Sequence, residues 1–153
     1  MSNSAVETAT GADLVWTAPA TWTSKPASAM RKASFSIPAG DTALDLAITA
    51  FPGAVGGEVA NVNRWRSQLQ LAPLSEADVA STFERLNVHG LSVTIVAATN
   101  PASSPPQRIL GAMIPFGRAT WFFKLMGPAD VVNQTEPAFR EFLQSVKAAP
   151  STP

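Results

Sequence analysis

The residues with the most chemical potential gather in one stretch, Glu58-Val59-Ala60-Asn61-Val62-Asn63-Arg64-Trp65-Arg66-Ser67-Gln68. Wound as a helix at roughly 100° per residue, it sets Asn61 and Gln68 beside Trp65, while Arg66 falls between Val62 and Val59 on the apolar arc and needs a partner there. Arginine brings a planar fork of donors and tryptophan a stacking face. Asn61, Arg64, Trp65 and Gln68 are therefore the candidate lining of a groove for a polar or anionic partner. The competing reading makes Trp65 a core residue and has the polar groups bond backbone carbonyls of neighbouring loops, the commonest use of such groups.

Elsewhere the chemistry is sparse. His89 is the only histidine and there is no cysteine, so histidine metal clusters, thiolate sites, thiol catalysis and disulfides are excluded. A Ser-His-acid triad could use one histidine, but no G-x-S-x-G elbow exists. In Asn87-Val88-His89-Gly90 the histidine reads as part of a surface turn. Gly53-Ala54-Val55-Gly56-Gly57 resembles a phosphate-binding turn only superficially: the spacing is wrong, no lysine follows, and Glu58 would repel an anion. Its glycines read as a turn needing positive φ. Most carboxylates fall on expected helix starts or solvent faces, with Asp45 on a strand the exception. Asn133-Gln134-Thr135 fits a glycosylation acceptor, which matters only in a secretory eukaryotic setting. No cofactor or metal is expected, and catalytic residues cannot be assigned.

Composition narrows the partner. Eleven basic and eleven acidic residues cancel, and the basic ones are scattered apart from Arg31-Lys32 and Arg64 with Arg66. Nucleic-acid binding wants a basic stripe, so that partner is disfavoured. Zero net charge leaves homo-oligomers open. No apolar run is long enough to span a membrane, and Met1-Ser2-Asn3-Ser4 lacks the features of a signal peptide. A periplasmic or lipid-anchored location is expected if a signal was removed upstream of Met1, and a cytoplasmic one otherwise.

The elements that must position these residues follow from hydrophobic period. Trp16 to Trp22, with Pro19 between, reads as a short edge strand and a turn whose two indoles cover one end of the core. Alternation over 30–37 and again over 44–51 around Pro38-Ala39-Gly40-Asp41 predicts an antiparallel hairpin. The period then shifts: Val59, Val62, Trp65 and Leu69 give a helix over 58–69, ended by Pro73. Ser75 is the expected N-cap of a second helix with Val79, Phe83 and Leu86 as its stripe. Segments 91–98, 108–115 and 119–126 read as strands, the last two joined by a hairpin turn at Phe116-Gly117-Arg118. Trp121-Phe122-Phe123 has no polar face and should be central, covered on both sides. A last helix opens at Gly127-Pro128, with a kink or break expected near Thr135 because Pro137 interrupts it.

The expected class is thus α+β, a mainly antiparallel sheet covered by helices in the order β-β-β-α-α-β-β-β-α. One domain over 13–147 is flanked by a flexible tail at 1–12 and a frayed tail at 148–153.

Several stretches together resemble an uncharacterised bacterial family: Trp16-x-x-Pro19-x-x-Trp22, Met30-Arg31, Phe51-Pro52-Gly53-x-x-Gly56-Gly57, Asn61-x-Asn63-Arg64-Trp65-Arg66-x-Gln68, and Thr120-Trp121-Phe122-x-Lys124-Leu125-x-Gly127-Pro128. In element order its members are similar to the PsbP-like and Mog-like α/β/α sandwich. The resemblance implies an antiparallel sheet between helical layers, frequent export or lipid anchoring, and accessory or binding roles without catalytic residues. No functional residue transfers with it. The expectation is a non-catalytic, exported accessory domain binding a protein or small molecule through the 58–69 helix and an adjoining Trp16/Trp22 region. The alternatives are a small hydrolase using His89 or loop carboxylates, and a structural subunit of an envelope complex.

Overall fold

The alternating segments become strands of one large sheet. In a computed structural model, which describes residues 2–7, 13–25, 33–52, 57–116 and 119–148, β4 (Ala33–Ala39) and β5 (Thr42–Pro52) form the expected hairpin. Its turn uses Gly40 at φ +60°, a region costly for side chains with a Cβ. The register sets Phe35 opposite Leu46 and Ile37 opposite Leu44, so one face is apolar. The remaining long strands are β7 (Leu91–Asn100), β8 (Gln107–Phe116) and β9 (Ala119–Pro128). With the short β3 (Thr23–Lys25) and β6 (Glu84–Val88) they complete a seven-stranded antiparallel sheet ordered β3-β4-β5-β9-β8-β7-β6. Trp121-Phe122-Phe123 thus sits on the middle strand, as its lack of a polar face required. The tip joining β8 to β9, Gly117-Arg118, and the glycine turn 53–56 lie outside the described residues, as does Met30-Arg31-Lys32.

Each face carries its own core. On one, Leu46, Ile48, Leu110, Ala112, Trp121, Phe123 and Leu125 pack under Val132, Phe139, Phe142 and Leu143 of α3 (Ala129–Gln144). β2 (Asp13–Ala18) lies beside that helix and adds Leu14, Trp16 and Ala18. On the other face Val96, Ile109, Met113 and Phe122 meet Val62 and Trp65 of α1 (Gly57–Gln68) and Val79 of α2 (Glu76–Ala80). The expected sheet between helical layers is realised.

Five details differ from the expectation. Ser2–Glu7, read as part of a tail, is β1, paired antiparallel with β2, whose other edge takes β10 (Lys147–Ala148). That pairing satisfies the backbone of an open strand edge, which side-chain pattern does not reveal. α1 stops before Pro73 is reached. Gln70 takes φ +61°, and the Leu71 and Gln70 amides donate to the Arg66 and Ser67 carbonyls, which closes the helix end. α2 begins at the predicted Ser75 cap, whose hydroxyl accepts from the Asp78 amide at 3.2 Å, but ends at Ala80. The Ser81 and Thr82 hydroxyls donate to the Asp78 and Val79 carbonyls, and the chain then turns to pair as β6. Phe83 and Leu86 therefore do not belong to a helical stripe. Pro128 both ends β9 and is the N-cap of α3, one residue before the expected first helical position, and α3 runs unbroken past Pro137, which is exposed.

Candidate functional site

The site lies where helix α1 packs on the sheet. Trp65 lies over Gly111 of β8, the one place on that strand where a missing Cβ leaves room for an indole. The helix thereby packs on β7 to β9, and the positions of β5 on that face line a space beside it. Between them is a cavity of about 210 Å³. β5 contributes Ala47, Thr49 and Phe51, β9 contributes Phe122 and Lys124, and α1 contributes Asn61, Arg64, Trp65 and Gln68. The aromatic floor is ordered edge to face: Trp65 and Phe122 stand 6.2 Å apart at 83°, Phe51 and Phe122 5.9 Å apart at 58°.

Above this floor lie two cations steadied by amides. A guanidinium nitrogen of Arg64 donates to Asn61 Oδ1, and Asn61 Nδ2 donates to the Gly57 carbonyl at 2.8 Å, which fixes the acceptor in place. Lys124 Nζ donates to Gln68 Oε1 at 2.7 Å. No acidic residue occurs among the described residues lining the cavity. Asp45, on the same face of β5 two residues before Ala47, pairs with Lys25.

The helix's other polar groups do structural work. Arg66, expected to need a partner, donates to the Ala72 carbonyl at 2.8 Å. Asn63 holds Leu74 in both directions, Nδ2 to the carbonyl at 3.1 Å and Oδ1 from the amide at 2.8 Å. Glu58 takes Arg85 in a two-pronged pair at 3.1 Å, which raises the arginine pKa chiefly through that hydrogen bond, and also accepts from Thr94. The loop-holding reading thus describes Asn63 and Arg66, while Asn61, Arg64, Trp65 and Gln68 share one cavity.

Trp16 and Trp22 are elsewhere. Both are buried on the α3 side, Trp16 among Trp121, Phe123 and Phe142, Trp22 against Phe35 and Phe142. The sheet separates them from the groove, so they do not adjoin it. A broader hollow of about 700 Å³ lies on their side, between Thr17–Ala20 and the end of α3, with Glu141 its charged lining residue among those described. His89 is exposed in the two-residue turn joining β6 to β7, at φ +50° beside Gly90 at +81°, and its Nε2 stands 3.1 Å from the Gln144 carbonyl. No serine or carboxylate partners it among the described residues, so the hydrolase alternative finds no triad there.

Lys124, Thr49, Phe51 and Phe122 were not foreseen as site residues. Only Lys124 carried a signal: it is the single charge within Trp121-Phe122-Phe123-Lys124-Leu125-Met126, so its side chain needed an outlet on a covered strand.

The chain has a PsbP-like fold. A solved Mycobacterium tuberculosis protein, LpqN, involved in cell envelope biogenesis, superposes with a TM-score of 0.58 at 12% identity over 97% of this chain and 91% of its own. Cyanobacterial PsbP (CyanoP) from Synechocystis gives 0.55 at 12% identity, over 97% and 93%. A protein from Bacteroides thetaiotaomicron gives 0.58 at 11% identity over 90% of this chain, which spans only 46% of that one. No family model and no curated protein sequence matches the chain. At these identities the likeness is one of fold.

Proposed function

We propose that this chain is a non-catalytic accessory domain that binds a small anionic ligand in the groove between α1, β5 and β9. The observation that carries the reading is the placement of Arg64 and Lys124 over an aromatic floor with no acid in the described lining. Lys124 is half-buried and Arg64 exposed, so one cation is partly shielded from water, where its attraction for an anion is stronger, and the other is open to an incoming ligand. Both cations are already steadied by amides, so little side-chain freedom is lost on binding. A guanidinium has five donors, which lets Arg64 keep its Asn61 bond while presenting a fork to an oxyanion.

The accessory part of the reading is supported by the fold shared with LpqN and CyanoP. Its finer part is an exported, envelope-associated setting, which fractionation of the source cells checks. The test of binding is calorimetric titration with a panel of small carboxylates and inorganic phosphate at low and high salt. Arg64→Ala and Lys124→Ala should each weaken binding by about tenfold, corresponding to roughly 1.4 kcal/mol. Binding that both variants retain at wild-type strength would refute the reading.

A further inference from the structure

Resting on the reading of the groove as an anion site, we infer that its ligand is a one-ring aromatic carboxylate. The cavity measures about 210 Å³. An apolar cavity of about 150 Å³ already admits benzene, so the space here suits one ring and its charged group. Two fused rings bearing a sugar and phosphates would not fit.

Its walls select for a ring over a chain. Phe122 already meets Trp65 edge to face and Phe51 at a tilt. A further ring laid on them finds both the negative faces and positive edges it pairs with, whereas a saturated body of the same size gains only buried area. Across the floor, Ala47 and Thr49 are short, which keeps the space open on the β5 side. Phe122 and Lys124 share a strand face, which separates their Cα atoms by about 7 Å. Arg64 directly precedes Trp65 on the helix. The β9 wall thus carries Phe122 with Lys124 beyond it on the same face, and Arg64 reaches the same cavity from the helix, so a ring on the aromatic floor has cations within the lining for its carboxylate. A carboxylate is flat and accepts two parallel donors from a guanidinium, while the lysine supplies a compact point charge.

The experiment compares benzoate, cyclohexanecarboxylate and inorganic phosphate by calorimetry and by the Trp65 indole N–H resonance. Benzoate should bind about five- to tenfold more tightly than cyclohexanecarboxylate, shift that resonance, and lose the preference in Phe122→Leu, which keeps the apolar bulk. Equal or tighter binding of cyclohexanecarboxylate, or a preference for phosphate, overturns the ring assignment and leaves the anion reading standing. Failure of all three to bind, or benzoate binding untouched by Arg64→Ala, overturns both. A far-UV circular dichroism spectrum and melting curve for each variant separate lost binding from lost fold.

Discussion

Gly111→Ala tests the packing that makes the groove. A Cβ added there would overlap Trp65 Cζ3 and stand 2.5 Å from Cη2 and 3.2 Å from Cε3. Carbon atoms in contact sit about 3.5–4.0 Å apart, so the indole must retreat by about 1 Å. It has little room, being 8% exposed and set edge-on against Phe122. Overpacking of this kind costs about 1–3 kcal/mol. For a chain of this size that lowers Tm by about 2–12 °C. Urea unfolding followed by far-UV circular dichroism measures the loss. The decisive form is a double-mutant cycle with Trp65→Ala, which costs about 3–5 kcal/mol alone but removes the ring that the new methyl strikes. In that background Gly111→Ala should be near neutral, leaving a coupling of about 1–3 kcal/mol. If the glycine substitution costs the same with and without the indole, Trp65 does not rest on Gly111 and the account of the helix packing fails.

Three further outcomes are expected. Phe142→Ala removes the ring that touches Trp16, Trp22, Phe35 and Phe123 and should cost about 3–5 kcal/mol by denaturant titration. Asn63→Ala leaves the Leu74 amide and carbonyl without their side-chain partner and should cost about 1–3 kcal/mol, with faster hydrogen exchange at the Leu74 amide. The third concerns pH. The hydrogen bond from Arg140 holds the Glu84 carboxyl below its ordinary value. Because the folded value is the lower one, the stabilisation is present above the unfolded value and disappears as pH falls through the folded one. Arg140→Ala should thus lower stability at pH 7 by no more than about 1 kcal/mol, since the pair is largely exposed, and the gap from wild type should close in strong acid.

The fold was legible where side-chain period speaks. Leu44, Leu46 and Ile48 announced a strand and its buried face, and Trp121-Phe122-Phe123 announced the centre of the sheet. Segments governed by backbone pairing were not: Ser2–Glu7 has no alternation to betray it as a strand. The end of α2 was misread because Val79, Phe83 and Leu86 keep helical spacing, while the decision lay with two hydroxyls capturing carbonyls at Asp78 and Val79. Helical geometry places Asn61, Arg64, Trp65 and Gln68 close enough to line one cavity. It could not supply the opposite wall, since nothing local says that β5 and β9 are neighbours or that Lys124 faces the helix. Trp16 and Trp22 cover the core as the segment around Pro19 implies, but on the α3 side, and the sheet divides them from the helix they were expected to adjoin.

The strict alternation along β9 has a further consequence for how such a protein can change. Trp121, Phe123 and Leu125 point into the α3 layer and Phe122 and Lys124 toward the groove. Thr49, Gln68 and Lys124 line the groove without belonging to either buried cluster, so they can be exchanged with least disturbance to the packing on the two faces. Along β9 the α3-side packing and the groove lining thus fall on opposite sides of one strand, and a descendant or a designer could retool the groove's polar positions while inheriting the larger core intact.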